Sequence, residues 1–581
     1  MESSSLELLV HGVDIASASV KLTYPGVELQ GITQVENPNY LFLDIKIDPK
    51  AEAGLVDIQF TKGKEQLLIK YELRSRVKSE QKIQGISSKD FIYLLMPDRF
   101  ANGDEKNDHV PSMYEGTVDR AGILQRHGGD IQGVIDHLDY LVELGVTAIW
   151  MNPVLENNQP KESYHGYAIT NHYKIDPRFG TNDLYVEFVE QCHERGIKVV
   201  GDIIHNHVGN EHWFIKDLPS KDWIHQFDEF TKTTYRAPTL LDPYAAEYDK
   251  NLMSNGWFDH HMPDLNQENR HLATYLIQNN IWWVEHAGID AYRIDTYAYP
   301  DQAFMSKWAS ALRAEYPSLS LFAETWVHGV PVQSWFTEQI ARKSFDNSIP
   351  AVTDFQLHYA INDALSQPFG WTEGVARLYY TLAKDYVYSH PEQLVTFLDN
   401  HDVSRFYSTI NEDFEKYKMG LGFLLTTRGI PQIYYGTEIL MPNSSKRTHH
   451  DQYREEFSGG WKGDTQNKFT IEGRTAEEQA AFEFVSKLAN YRKNTPALTT
   501  GKLMQFVPEE GVYVYFRYDD AKTIMVILNQ NPKGMKIKTG RFAERLNGFT
   551  KAKNVLTNDS ISLTDELELP MTSITILELA K

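Results

Sequence analysis

A chain of 581 residues with 41% hydrophobic content is too long for one compact core and carries apolar material for two to four domains. Acids outnumber bases 79 to 57, and a net charge of −22 would repel a phosphate backbone, which excludes nucleic acid as the expected partner. The single cysteine, Cys192, excludes an intrachain disulfide or a cysteine zinc cluster. No run is apolar for the length of a bilayer span and no signal-peptide core opens the chain. The expectation is a soluble protein without a membrane partner, in the cytoplasm or, after loss of a leader, the periplasm.

Residues 40–47 and 55–60 alternate apolar and polar side chains between Pro, Gly and Asn turns, which predicts a small β-sandwich over residues 1–85. The charged passage 74–82 reads as a linker, and a new pattern begins near Lys89. From there short, almost continuously apolar runs alternate with helical periodicity, the mark of parallel strands covered on both faces. Residues 91–96, 146–151, 197–204, 289–294, 319–323, 394–398 and 430–435 are the candidate strands, with an eighth at about 345–352. The pattern predicts a (β/α)8 barrel over residues 86–495. The Trp-, Asp- and Tyr-rich stretch 208–264 is too long for one crossover and reads as an inserted subdomain. Alternating strands at 511–516, 523–528 and 573–577 predict a second sandwich over residues 496–581.

Catalytic groups of a β/α barrel sit at the C-terminal ends of its strands, and here acids, histidines and one arginine end the apolar runs. Arg293 and Asp295 are two positions apart and therefore on one face of a strand, so the guanidinium would keep Asp295 ionised and nucleophilic. The next run delivers Glu324 beside Trp326, and an apolar neighbour raises a carboxyl pKa towards that of a proton donor. Two carboxyls on adjacent strand ends can stand about 5 Å apart, the spacing of a retaining glycosidase. A later run adds Asp402 after His401, and an earlier one adds Asp202, Asn206 and His207. Singly, each of these has an ordinary reading as a structural ion pair or strand-end polar group. Their succession along one barrel is the specific signal.

These segments resemble the signature regions of glycoside hydrolase family 13, the α-amylase family: Asp202 to His207, Tyr292 to Asp295, Glu324 to Trp326 and Phe397 to Asp402. The resemblance extends to Gly145–Pro153, Tyr164–Tyr167, Met262–Asn266 and Gly436–Glu438. It implies Asp295 as nucleophile, Glu324 as acid/base and Asp402 as transition-state stabiliser, with Tyr167, His207, Arg293 and His401 around the reacting sugar. The N-terminal sandwich and the Met-Pro-x-Leu-Asn segment resemble cyclomaltodextrinases and neopullulanases, relatives that are often homodimers. Asp264 departs from that subgroup, which usually has lysine there, and resembles the oligo-1,6-glucosidases. Ala298 and Tyr299 stand where many α-amylases have Lys-His. Tyr299, with Trp326, is then a candidate to stack on a compact substrate ring, which favours cyclodextrins and short maltooligosaccharides over long starch.

The loop following the first barrel strand packs hard oxygen donors around a glycine, which suits calcium or, equally on composition, a solvated acidic turn. The family resemblance implies a structural Ca2+ held by Asn102, Asp104, Asn107, Asp108, Gly128 and Asp130. His205 and His207 also fit the His-x-His of a metal-dependent amidohydrolase, but such a site needs further histidines. Neopullulanase, oligo-1,6-glucosidase and transglycosylase activities stay open within the family. A silent binding or scaffold protein is the reading from another class, and it fits poorly because Asp295, Glu324 and Asp402 are all present.

Overall fold

The computed structural model describes residues 5–76, 83–338, 349–445 and 449–581. Its first six strands are β1 (Ser5–His11), β2 (Ser19–Thr23), β3 (Val27–Gln34), β4 (Tyr40–Ile47), β5 (Gly54–Lys62) and β6 (Glu65–Leu73). They form two three-stranded antiparallel sheets, ordered β1-β4-β3 and β2-β5-β6. The period of two sends Leu41, Leu43 and Ile45 of β4 against Val56, Ile58 and Phe60 of β5, the core of a small sandwich. β4 is also covered on its other face, where Phe42 stacks on His271 of the helix Arg270–Ala287 with ring centres 4.0 Å apart. At the same junction His11, Asn37 and Asn39 reach the Asp217 carboxylate (2.9, 2.5 and 2.9 Å), and the Tyr40 hydroxyl donates to the Asp217 carbonyl.

The central unit is a parallel barrel. Its strands are β7 (Ile92–Leu95), β8 (Ala148–Met151), β11 (Lys198–Ile204), β12 (Ala291–Asp295), β13 (Ser320–Ala323), β14 (Ala351–Val352), β15 (Val395–Phe397) and β16 (Ile430–Tyr434); β9 (Leu155–Glu156) and β10 (Asn171–Ile175) form a small antiparallel pair outside it. The sheet order is β14-β13-β12-β11-β8-β7-β16-β15, and a parallel bridge between Thr353 and Val395 brings its two ends together. The eighth strand expected at 345–352 is represented by β14; residues 345–348 lie outside the described residues, as do 77–82 of the linker. Nearly every barrel-strand residue is buried, which is why these strands read as apolar runs with no alternation.

Crossover helices begin where a capping side chain follows a strand. Thr181, Asn269, Asp301, Asp354 and Asp413 each accept a first-turn N–H, a contribution of about 1 kcal/mol apiece. The chain ends in β17 (Lys502–Gln505), β18 (Val512–Tyr518), β19 (Thr523–Asn529), β20 (Met535–Lys538), β21 (Lys551–Asn554), β22 (Ser560–Ser562), β23 (Glu566–Leu569) and β24 (Ser573–Ala580). Six of these form the sheet β17-β18-β19-β24-β21-β22, and β20 pairs with β23 opposite it. With the barrel between its two sheet domains, the molecule has the architecture its hydrophobic patterning predicts.

Two buried guanidiniums join this last unit to the barrel. Arg492 donates to the carbonyls of Ser88, Leu425, Gly429 and Leu498, and Arg517 to those of Thr426, Thr427, Thr499 and Gly501. Carbonyls left without these donors would stay buried and unsatisfied. Arg517→Met should therefore lower the calorimetric unfolding temperature by a few degrees, an effect of about 3 kcal/mol, and Arg517→Lys should recover only part because it lacks the planar fork. An unchanged transition in Arg517→Met would refute this account of the junction.

Candidate active site

Strand register gathers the site. Arg293 on β12 lies beside Asp202 on β11 and Phe322 on β13, so Asp202, Arg293, Asp295 and Glu324 share the inner face at the C-terminal end of the barrel. Glu324 follows directly on β13 and its N–H donates to the Ile294 carbonyl (2.8 Å), which locks it to the nucleophile's strand. Between the two acids Thr296 adopts φ +45°, a left-handed conformation that costs a β-branched residue about 1–3 kcal/mol, and its N–H points at Glu324 Oε2 (3.2 Å).

One guanidinium organises three carboxylates. Arg293 Nη1 donates to Asp202 Oδ1 (2.9 Å) and Asp295 Oδ1 (2.7 Å), while Nη2 lies 2.8 Å from Glu324 Oε1. Burial pushes the Glu324 carboxyl up to about 7, with Arg293 opposing the shift and the charges of Asp295 and Asp402 adding to it. Burial also raises Asp295, with Arg293 opposing and Asp202 adding. The reason for the Glu324 shift differs from the one the sequence suggested. The Trp326 indole is 48% exposed, stacked on Phe355 at 5.2 Å and donating to Tyr359, so desolvation of the carboxyl itself is the cause. Trp326 thus stands at the rim, while the other predicted residues converge.

Asp402 goes the other way. Burial disfavours its charge, but His401 Nε2 (3.0 Å from Oδ2) and Arg454 Nη2 (2.8 Å from Oδ1) outweigh that and hold it well below the usual carboxylate range. Tyr167 lies flat on His401, ring centres 5.3 Å and planes 9° apart, and its hydroxyl contacts His401 Nε2 (2.8 Å) and Asp202 Oδ2 (3.0 Å). His207 Nε2 and His401 Nδ1 are buried with no hydrogen-bond partner, polar atoms that sugar hydroxyls would satisfy. Burial lowers His207 to about 3, so it is neutral and can accept as well as donate. Asp264 turns away from the site to His225 (2.7 Å), and burial lifts its carboxyl to about 7.

Arg454 is the functional residue that sequence reasoning missed. Besides Asp402 it donates to the His401 carbonyl (2.8 Å) and the Tyr164 hydroxyl (3.1 Å), and its neighbour Tyr453 donates to the Asp402 carbonyl (3.0 Å). It lies in the stretch Arg454-Glu-Glu-Phe-Ser-Gly-Gly-Trp461, where nothing local says that the chain folds over the end of β15.

The loop after β7 forms a separate cluster. Asn102 Nδ2 donates to both oxygens of Asp108 (2.9 and 3.0 Å), and Asp130 takes Gly133 N, Gly103 N, Asp104 N and Asn107 Nδ2. Asn102 Oδ1 and Asn107 Oδ1 are buried without a partner. Gly128 has φ +91°, and a Cβ there would come 2.5 Å from Asp108 Oδ1. Burial raises both Asp108 and Asp130. Among the described residues no group of three or more His, Cys, Asp or Glu is placed to hold a metal.

A parallel barrel with three acids around one buried arginine at its C-terminal strand ends is an arrangement for glycoside chemistry. The chain belongs to the α-amylase family and is a glycoside hydrolase: the family profile described as alpha amylase, catalytic domain, matches residues 92–501. Profiles for the cyclomaltodextrinase N-terminal and C-terminal domains match residues 1–77 and 503–578. Among curated relatives, a β/α-amylase of Paenibacillus polymyxa is 28% identical over 82% of this chain, which spans only 36% of that longer protein. A cyclomaltodextrinase of Thermoanaerobacter pseudethanolicus is 28% identical over 76% of this chain and 70% of its own length. The crystal structure of an Anoxybacillus α-amylase aligns with TM-score 0.70 and 28% identity, over 85% of this chain and 98% of that one.

Removing the Arg454 cation should raise the pKa of Asp402. Arg454→Met is expected to lower kcat on maltooligosaccharides by about a hundredfold with a smaller change in KM. Arg454→Lys should restore part of the loss. An unchanged kcat in Arg454→Met would refute this role.

Proposed function

We propose that the protein is a retaining α-glucan hydrolase acting on cyclodextrins and short maltooligosaccharides through a covalent glycosyl-enzyme. The observation that carries this reading is the single guanidinium shared by Asp295 (2.7 Å) and Glu324 (2.8 Å), an arrangement that suits the spacing of roughly 5 Å at which retaining enzymes hold their two carboxyls. Asp295 attacks the anomeric carbon while Glu324 gives its proton to the glycosidic oxygen, so the leaving glucan departs with a free hydroxyl. Glu324, now ionised, takes a proton from water. The water oxygen then displaces Asp295 and the α-anomer is released. Asp402, held ionised by His401 and Arg454, accepts from sugar hydroxyls and steadies the positive charge that develops on the ring. Tyr167, His207 and His401 complete the pocket for that ring.

The preference for compact substrates rests on relatives named cyclomaltodextrinase and on Ala298 and Tyr299, which leave an aromatic ring in place of two polar groups beyond Asp295. Initial rates on β-cyclodextrin, soluble starch, pullulan and isomaltose, with product anomers followed by proton NMR, test it. Fast opening of cyclodextrin to α-anomeric products is expected; preference for starch or isomaltose, or inverted products, would overturn it. The rate should fall as pH rises through about 7, where Glu324 loses the proton it must donate, and Glu324→Gln should abolish turnover while ligand binding persists.

We further propose that Asn102, Asp104, Asn107, Asp108 and the Gly128 backbone hold a structural calcium ion, with Asp130 ordering the loop around it. Two orphaned amide oxygens and a glycine whose Cβ would collide with Asp108 support this. Calcium in hundredfold excess over its Kd should add about 2.7 kcal/mol to stability, seen as a higher unfolding temperature that EDTA reverses. Asp108→Ala should unfold at the same temperature with or without calcium; a calcium response that survives in this variant would move the site elsewhere.

A further inference from the structure

Arg454, which holds the Asp402 carboxylate, stands at the head of residues 454–464, a stretch with neither helix nor strand. A side chain on such a stretch is only as well placed as the contacts that fix its main chain. Here those contacts come from the chain that leaves β7. The Phe457 N–H donates to the Arg99 carbonyl (2.8 Å), the Asn102 N–H to the Gly460 carbonyl (2.8 Å), and the Trp461 indole N–H to the His127 carbonyl (2.7 Å). Gly460 lies directly on Phe100, whose carbonyl a Cβ at that position would strike.

The charged part of this junction converges on one residue. Arg120 lays its fork on Glu456, with Nε 2.9 Å from Oε1 and Nη2 2.6 Å from Oε2, and the same Nη2 donates to Asp464 Oδ1 (2.9 Å). The guanidinium also covers the Trp461 ring, 4.7 Å from its centre. Asp464 closes the stretch on itself, its Oδ2 accepting the Gly459 N–H (2.9 Å) and the Trp461 N–H (3.3 Å). His127 Nδ1 lies 2.7 Å from Glu456 Oε1. Burial disfavours the charge of Glu456, but Arg120 and His127 outweigh it and hold the carboxyl down at about 2.

Two acids of the stretch thus share one nitrogen of Arg120. Without that cation Glu456 and Asp464 would stand as like charges at close quarters, and their repulsion would act on the main chain two residues from Arg454. The hydrogen bonds of Arg120 go to this stretch and not to the three catalytic acids.

We infer that Arg120 is a positioning residue for the reaction: by gathering Glu456 and Asp464 it seats residues 454–464 on the chain leaving β7, and so keeps the Arg454 guanidinium against Asp402. A bidentate fork fixes orientation as well as distance, which a single ammonium does not. Arg454 needs that precision, because a misplacement of about 1 Å at a catalytic group can cost a hundredfold in rate. The inference rests on the hydrolase reading in which Asp402 steadies the developing charge.

The test is a double-mutant cycle on kcat and KM for maltoheptaose, with unfolding temperatures recorded for every variant. Arg120→Met is expected to lower kcat about tenfold and to change KM by less than about twofold. Arg120→Lys, which cannot form the fork, should regain only part of the loss. In the Arg454→Met background the same Arg120→Met change should cost less than about a further twofold, because the group through which it acts is gone. An equal loss in both backgrounds would make Arg120 a general support of the fold and overturn the inference, as would a parental kcat in Arg120→Met. If Arg120→Met does not fold, Glu456→Gln, which keeps the shape and removes the charge, takes its place in the cycle with the same outcomes. Failure of the underlying reading is distinct: a parental enzyme inactive on maltoheptaose, or Arg454→Met at the parental rate, would remove the role of Arg454 itself and the inference with it.

Discussion

A buried guanidinium with carboxylates on three sides is the constraint on which the catalytic end of the barrel depends. Arg293 is 1% exposed, and a desolvated cation of this kind is tolerable only when charged neighbours balance it. Asp202, Asp295 and Glu324 meet that demand from three adjacent strands. The same arrangement assigns the acids to different roles. Burial raises both Asp295 and Glu324 while Arg293 opposes the shift at each; Glu324 goes the higher, up to about 7, and is the one that keeps a proton near neutral pH. Asp402, outside this cluster, has its own pair of partners in His401 and Arg454.

The fold was legible wherever local pattern and tertiary environment agree. Continuous apolar runs gave the barrel strands because both faces of each are covered, and the polar residues ending those runs marked the catalytic face. Arg293 and Asp295 were visible together because their spacing equals the strand period. Asp202 was visible as a strand-end acid, but its bond to Arg293 is a matter of register between neighbouring strands, which no single strand's sequence encodes.

What stayed hidden comes from segments without period. Arg454 reaches Asp402 from a loop more than fifty positions later, and Tyr235 reaches Phe258 and Tyr299 from an irregular insertion. Their positions depend on backbone conformations, such as the left-handed one at Tyr235, that residue type argues against. Trp326 shows the converse. Adjacent to Glu324 in sequence, it was credited with shifting that acid, yet the chain leaves β13 in a direction that lays the indole on Phe355. Adjacency in sequence is a poor guide to contact where a strand ends.

The junction at Asp217 joins parts of the molecule that look independent. His11, Asn37, Asn39 and Tyr40 of the N-terminal sandwich all fasten to this one residue, which belongs to the same insertion that carries Tyr235 and Phe258. The sandwich therefore bears on the barrel domain at two places, this insertion and the helix Arg270–Ala287 that Phe42 and Glu7 reach. Cutting the chain after the sandwich would strip Asp217 of four partners and uncover the helix beneath Phe42, a larger change than the loss of an appendage.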